Sequence, residues 1–148
     1  MKPKMHPLAE IYAEAERVHT HAQEHLRSLR AELRSLEAEL EALERELAKD
    51  YGAGYLTLKT VRNRSGRKYR YPVWRTTDSS EIYLTRDPRA KRILELREKV
   101  RRLRRLITEV KQASRLAWAY MKASNEYMDT CISPEGEYVE CKEPRVTD

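Results

Sequence analysis

The sequence predicts a mainly α protein: a long antiparallel helical hairpin of coiled-coil type, with a small antiparallel β-hairpin or meander at its tip. Three observations predict it. Apolar residues recur at alternating spacings of three and four over two long stretches, which is the pattern of a coiled-coil seam. Between them, residues 51–87 switch to β-branched and aromatic runs punctuated by glycine, the pattern of strands and turns. The 148 residues are 36% charged and only 40% hydrophobic, below the ~45–50% apolar content of an ordinary globular core.

The first helix is read over 8–50. Leu26, Leu29, Leu33, Leu36, Leu40, Leu43 and Leu47 place leucine at both core positions of successive heptads. Leu8, Ile11, Ala15, Val18 and Ala22 continue the seam upstream. Two steps of four, from Val18 through Ala22 to Leu26, make a stutter that unwinds the supercoil locally. Pro7 suits the helix start, where its missing N–H costs nothing, and Gly52 and Gly54 end the helix.

The β-module is read over 51–87. Tyr55–Arg62 and Lys68–Arg75 are the two principal strands. A three-residue loop, Arg64-Ser65-Gly66, with Gly66 left-handed, joins them in a bulged hairpin. In that register Val61 opposes Tyr69, Lys59 opposes Tyr71 and Thr57 opposes Val73 on one face. Arg62/Lys68, Thr60/Arg70, Leu58/Pro72 and Leu56/Trp74 share the other face. Pro72 is expected on an edge, where no ladder donor is needed. Glu81–Leu84 supplies a short third strand after the turn Thr77–Ser80.

The second helix is read over 88–128, with Asp87 as its cap and Pro88 at its first position. Its seam is Ile93, Leu96, Val100, Leu103, Ile107, Val110, Ser114, Ala117, Met121, Ser124 and Met128. Each helix should be about 60 Å long at 1.5 Å per residue. Residues 129–148 form an acidic tail in which Cys131 and Cys141 would oppose each other across a second small hairpin. A disulfide and two free thiols are both open readings there.

Charge placement supports antiparallel pairing. With Leu47 aligned to Ile93, the acidic positions Glu37, Glu39 and Glu41 fall opposite the basic stretch 99–105, and Glu39 lies opposite Arg101. Flanking opposite charges select partner and orientation in coiled coils. The net charge of +6 divides unevenly: −3 for 1–50, +5 for 51–87, +8 for 88–128 and −4 for 129–148. Much of the second helix's charge is therefore expected to be met by the first, whereas the β-module has little acid of its own.

That makes the β-module the leading candidate site. Lys59, Arg62, Arg64, Arg67, Lys68 and Arg70 alternate with Tyr69 and Tyr71. A two-stranded ribbon fits a DNA major groove, Arg and Lys displace counterions from phosphates, and tyrosines offer stacking surfaces. Arg101, Arg102, Arg104 and Arg105 are read as an extension of the basic track. His21 and His25, four apart, lack further ligand types opposite them, so no metal and no cofactor are expected. No phosphate loop, zinc-protease pattern or nucleophile elbow is present, and no enzyme is expected. Leu106, Ala113, Tyr120 and Tyr127 recur beside the main seam, wider than one helix contact needs, so a homodimer or higher oligomer is expected.

The helix–β-hairpin–helix order over residues 8–128 resembles the β-type subunit of prefoldin in topology. That resemblance implies a chaperone-like grip at apolar coil ends. The segments Gly54–Lys59, Lys68–Tyr71 and Ile82–Leu84 are similar to those of small archaeal and viral proteins that set a Tyr-rich β-meander between charged helices. Scarce Asn and Gln beside abundant Glu and Arg point to a thermophile. No stretch approaches the ~18 apolar residues of a membrane span. The N-terminal residues lack a signal peptide's apolar run, which gives a cytoplasmic protein, nucleoid- or virion-associated, as the expected setting. The function expected is non-catalytic nucleic-acid binding, DNA ahead of RNA, with no small-molecule substrate. The rival is a structural, adaptor or chaperone-like coiled-coil protein that binds other proteins.

Overall fold

The computed structural model describes residues 7–130, so the Cys131–Cys141 pairing lies outside the described residues. The element order is α1 (Pro7–Tyr51), β1 (Gly54–Arg62), β2 (Lys68–Thr76), β3 (Glu81–Tyr83) and α2 (Pro88–Thr130). The two helices pack against each other, with the small antiparallel sheet between them in the chain. Among the described residues no helix is long and apolar enough to cross a membrane. The chain divides into two compact units: Leu29–Leu106, and the paired helix segments 7–28 and 107–130.

In the unit Leu29–Leu106, ion pairs fix the helix orientation. Glu37 meets Arg104, Glu44 meets Arg97 and Asp50 meets Arg89. Partners descend α2 as they ascend α1, which only antiparallel helices allow. Leu47, Ile93 and Leu96 are fully buried between them, and Val100 and Leu103 continue the seam. One expected contact differs. Glu39 binds Arg92, with N–O distances of 2.9 and 3.2 Å, while Arg101 turns to Glu98 on its own helix. An arginine stem spans more than one helical turn, so the carboxylate chooses a partner that backbone alignment alone does not indicate.

The helix ends are built as their residues dictate. Gly52 takes a φ of 95° and donates its N–H to Ala48 O at 2.8 Å, closing α1 with a left-handed cap. Asp87 caps α2: its Oδ1 accepts the Arg89 N–H at 3.0 Å, and Pro88 fills the first position, where no donor is missed. Arg89 also binds both Asp87 oxygens and reaches Asp50 at 2.7 Å. Tyr51 donates to Asp87 Oδ2 at 3.1 Å. The end of α1 and the start of α2 are thus tied by one carboxylate network.

The sheet order is β1-β2-β3, and the β1–β2 register is the expected one throughout, from Gly54↔Thr76 to Arg62↔Lys68. Gly66, at φ 82°, turns the tip. Gly54 allows the strands to meet at their base, where a Cβ would stand 2.1 Å from Arg75 O. Pro72 lies in the central strand, not on an edge. Its carbonyl accepts from Leu84 N at 2.9 Å, just past the last β2–β3 pair, Val73↔Tyr83. Its missing N–H therefore falls where the ladder has already ended. Leu56 and Trp74 bring one face of the sheet onto Leu47, Leu84, Ala90 and Ile93, and Trp74 donates to Gly52 O at 2.9 Å.

In the unit of segments 7–28 and 107–130, Ala15, Ala22, Leu26, Ile107, Ser114, Ala117, Met121 and Ser124 are buried. Ile11 and Val18 were expected in this seam, but they are 47% and 45% exposed. Tyr12 and His19 stand nearer the seam instead. His19 Nδ1 lies 3.1 Å from Ser114 Oγ, and Gln23 donates to the same hydroxyl at 2.7 Å. A buried serine needs a partner, which these two side chains supply, and with Tyr12 and His19 inward the three-four alternation of the leucines runs on from Leu26 without the expected stutter at Val18.

Candidate functional site

The site begins with the loop. Asn63 Oδ1 accepts three hydrogen bonds, from Ser65 N at 3.0 Å, Ser65 Oγ at 2.7 Å and Arg67 N at 2.9 Å. Asn63 N also donates to Arg67 O at 2.9 Å. One short side chain thus organises the whole turn, as asparagine commonly does. Its Nδ2 lies 3.4 Å from the Tyr69 hydroxyl, which links the loop to the ring behind it.

Every residue from Thr60 to Arg70 is exposed. This run contains Arg62, Arg64, Arg67, Lys68 and Arg70 and no acid. Among the described residues none of these five has an ion-pair partner. Like charges crowded on a narrow ribbon repel one another, so the tip favours an anion that can lie between them. Arg62, Lys68 and Arg70 share a sheet face, as their strand parity requires, while Arg64 and Arg67 flank Gly66 in the loop.

The opposite face is aromatic. Tyr69 and Tyr71 follow one another along β2 with ring centroids 6.3 Å apart and planes inclined by 28°. Tyr83, on β3, meets Tyr71 edge-on at 6.2 Å. Tyr71 is half-buried, and Val73, two residues on along the same face, is fully buried. Tyr69 and Tyr83 are 39% and 53% exposed.

Lys59 belongs to this face and differs from the other cations. Its Nζ lies 2.6 Å from Glu81 and 6.0 Å from the Tyr83 ring centroid. The Glu81 hydrogen bond raises the Lys59 pKa above its ordinary value and lowers that of Glu81 in return. Arg75 adds a second contact to Glu81 at 3.2 Å. Strand-pair reasoning over β1 and β2 alone missed Glu81, because it enters from β3 on the far side of β2. It missed the contact of Tyr83 with Tyr71 and the organising role of Asn63 as well; the Asn-x-Ser-Gly spacing around the turn was the available signal for the latter.

The helix cations are placed differently from the tip cations. Arg101 and Arg102 pair with Glu98, and Arg104 pairs with Glu37 at 2.8 Å. Arg105 is exposed. Exposed pairs of this kind contribute little stability, so the guanidiniums remain accessible, but their charge is offset. Among the described residues no cluster of His, Cys, Asp and Glu groups stands ready for a metal ion. Comparison with family models, curated proteins and solved structures finds no match for the chain, so the functional reading rests on the chemistry of the site.

Proposed function

We propose that the chain is a non-catalytic nucleic-acid-binding protein, DNA ahead of RNA, whose β1–β2 tip is the contact element. The observation that carries this reading is the acid-free exposed run Thr60–Arg70 with its five cations. Arg62, Arg64, Arg67, Lys68 and Arg70 would lie against phosphates, and counterion release would drive association. Arg101, Arg102, Arg104 and Arg105 extend the positive field as secondary contacts. A cytoplasmic, nucleoid- or virion-associated setting goes with this role. Changing the five tip cations to Ala should abolish mobility shift of a DNA fragment at low salt. Unchanged retention would reject the assignment.

A second reading has its own observation. In the unit of segments 7–28 and 107–130, Ile11, Val18, Leu116 and Tyr120 border a groove of about 510 Å³ with Ala15 and Ala117 at its floor. Such an apolar groove suits a structural or adaptor role, including homodimerisation. Lack of nucleic-acid retention at low salt, with a defined oligomer by light scattering, would favour that role.

A further inference from the structure

The ribbon separates its two chemistries by strand parity. Cations stand on the face of Arg62, Lys68 and Arg70, and rings on the face of Tyr69, Tyr71 and Tyr83. The base of the cationic face is occupied by the helices through Leu56 and Trp74. On the aromatic face Val73 is buried at the base, but Tyr55, Tyr69 and Tyr83 are all more than a third exposed.

Electrostatics sharpen the division. On the aromatic face Lys59 and Arg75 both pair with Glu81, which offsets one of their two charges and holds Lys59 near the Tyr83 ring. Cations without a carboxylate partner among the described residues stand at its margin, with Arg64 and Arg67 in the loop. An aromatic surface of low charge, bordered by cations, matches a strand whose bases are available on one side and whose phosphates pass along the border. A duplex buries its base faces in its own stack and would leave these rings unused.

Resting on the nucleic-acid reading above, we propose that the Tyr69–Tyr71–Tyr83 face is a base-stacking platform and that the preferred ligand is single-stranded nucleic acid. Tyr71 is the half-buried inner ring, in contact with both others; Tyr69 and Tyr83 present ring surface to the bases. The near-parallel Tyr69 and Tyr71 rings, 6.3 Å apart, offer neighbouring ring surfaces to successive bases, and the Asn63–Tyr69 contact keeps the outer ring in register with the loop cations.

The test uses the full chain, a labelled oligo-dT strand and a duplex of equal length, followed by fluorescence anisotropy. Tyr69→Leu with Tyr83→Leu keeps apolar cover but removes the rings. Single-strand affinity should fall about tenfold or more per ring lost, with duplex affinity changed little. Tyr69→Phe with Tyr83→Phe should restore single-strand binding, which a loss of folding would not permit. Equal losses on both ligands, no loss on either, or no recovery with phenylalanine would overturn the platform. Wild-type protein that binds duplex at least as tightly as the single strand would overturn the ligand preference while leaving the nucleic-acid reading intact. Wild-type protein that binds neither at low salt would overturn both.

Discussion

The cations of the β-tip and those of α2 are the same residue types put to different uses. Along α2, Arg89, Arg92, Arg97, Arg101, Arg102 and Arg104 each meet a carboxylate, on α1, on α2 itself or on the capping Asp87. At the tip, Arg62, Arg64, Arg67, Lys68 and Arg70 meet none among the described residues, and every residue around them is exposed. Density of basic residues is therefore a poor guide to a binding surface. What distinguishes the two regions is whether the fold brings acid within reach. Helical spacing places Glu beside Arg on the same or the facing helix, whereas a ribbon with no acid from Thr60 to Arg70 cannot do so.

The largest expected effect separates these regions directly. Replacing the five tip cations by Ala should weaken DNA binding by about a hundredfold or more, while replacing Arg101, Arg102 and Arg104 together should weaken it far less. Titration by anisotropy at fixed salt reads both. Equal losses would mean that the helix pairs leave their charges as available as those of the tip.

Stability should divide along other lines. Trp74→Ala removes the largest fully buried side chain and its hydrogen bond to Gly52, and should cost about 3–5 kcal/mol in denaturant unfolding. Tip substitutions should leave that midpoint nearly unchanged. Asp87→Ala should cost about 1 kcal/mol as a lost helix cap. Its hydrogen bonds to Arg89, then to Tyr51, hold the Asp87 carboxyl below the ordinary 3.8. The sign follows: this stabilisation is complete above the ordinary value and disappears as pH falls through the lowered one. Thermal unfolding measured from neutral to strongly acid pH should show that acid loss in the wild type and a smaller one in Asp87→Asn.

The smallest effect concerns partner choice between the helices. Exchanging Glu37 and Arg104 for one another should recover in the double variant part of what either single change loses. Glu39 and Arg101 should show no such coupling, because Glu39 binds Arg92. A double-mutant cycle on unfolding measures both.

Much of this arrangement was legible in the residues. Gly66 and the alternation of Leu, Thr, Val and Tyr determined the hairpin register, because a slip of one residue would move Leu56 and Trp74 off the core face. The α2 seam followed from its spacing for the same reason. The seam near Ile11 and Val18 did not: the leucine heptad carried straight on places Tyr12 and His19 inward, but the apolar character of Ile11 and Val18 suggested a stutter, and the polar side chains His19 and Gln23 meet Ser114 there instead. Lys59 looked equivalent to Arg62 and Arg70 until β3 supplied Glu81. Its capture depends on which strand lies beside β2, and that is a tertiary fact. At the tip itself the acid-free composition and the register were both visible in the chain, and with them the placement of Arg62, Lys68 and Arg70 on the face opposite Tyr69 and Tyr71.

Salt dependence tests the central claim most directly. The logarithm of the binding constant should fall with the logarithm of salt concentration by about 0.7 per phosphate contacted for a single strand. The wild type should show a steep slope, the variant lacking the five tip cations a nearly flat one, and the variant lacking Arg101, Arg102 and Arg104 a slope close to that of the wild type. Parallel slopes for the wild type and the tip variant would contradict the account, because the phosphates would then be held somewhere other than the ribbon.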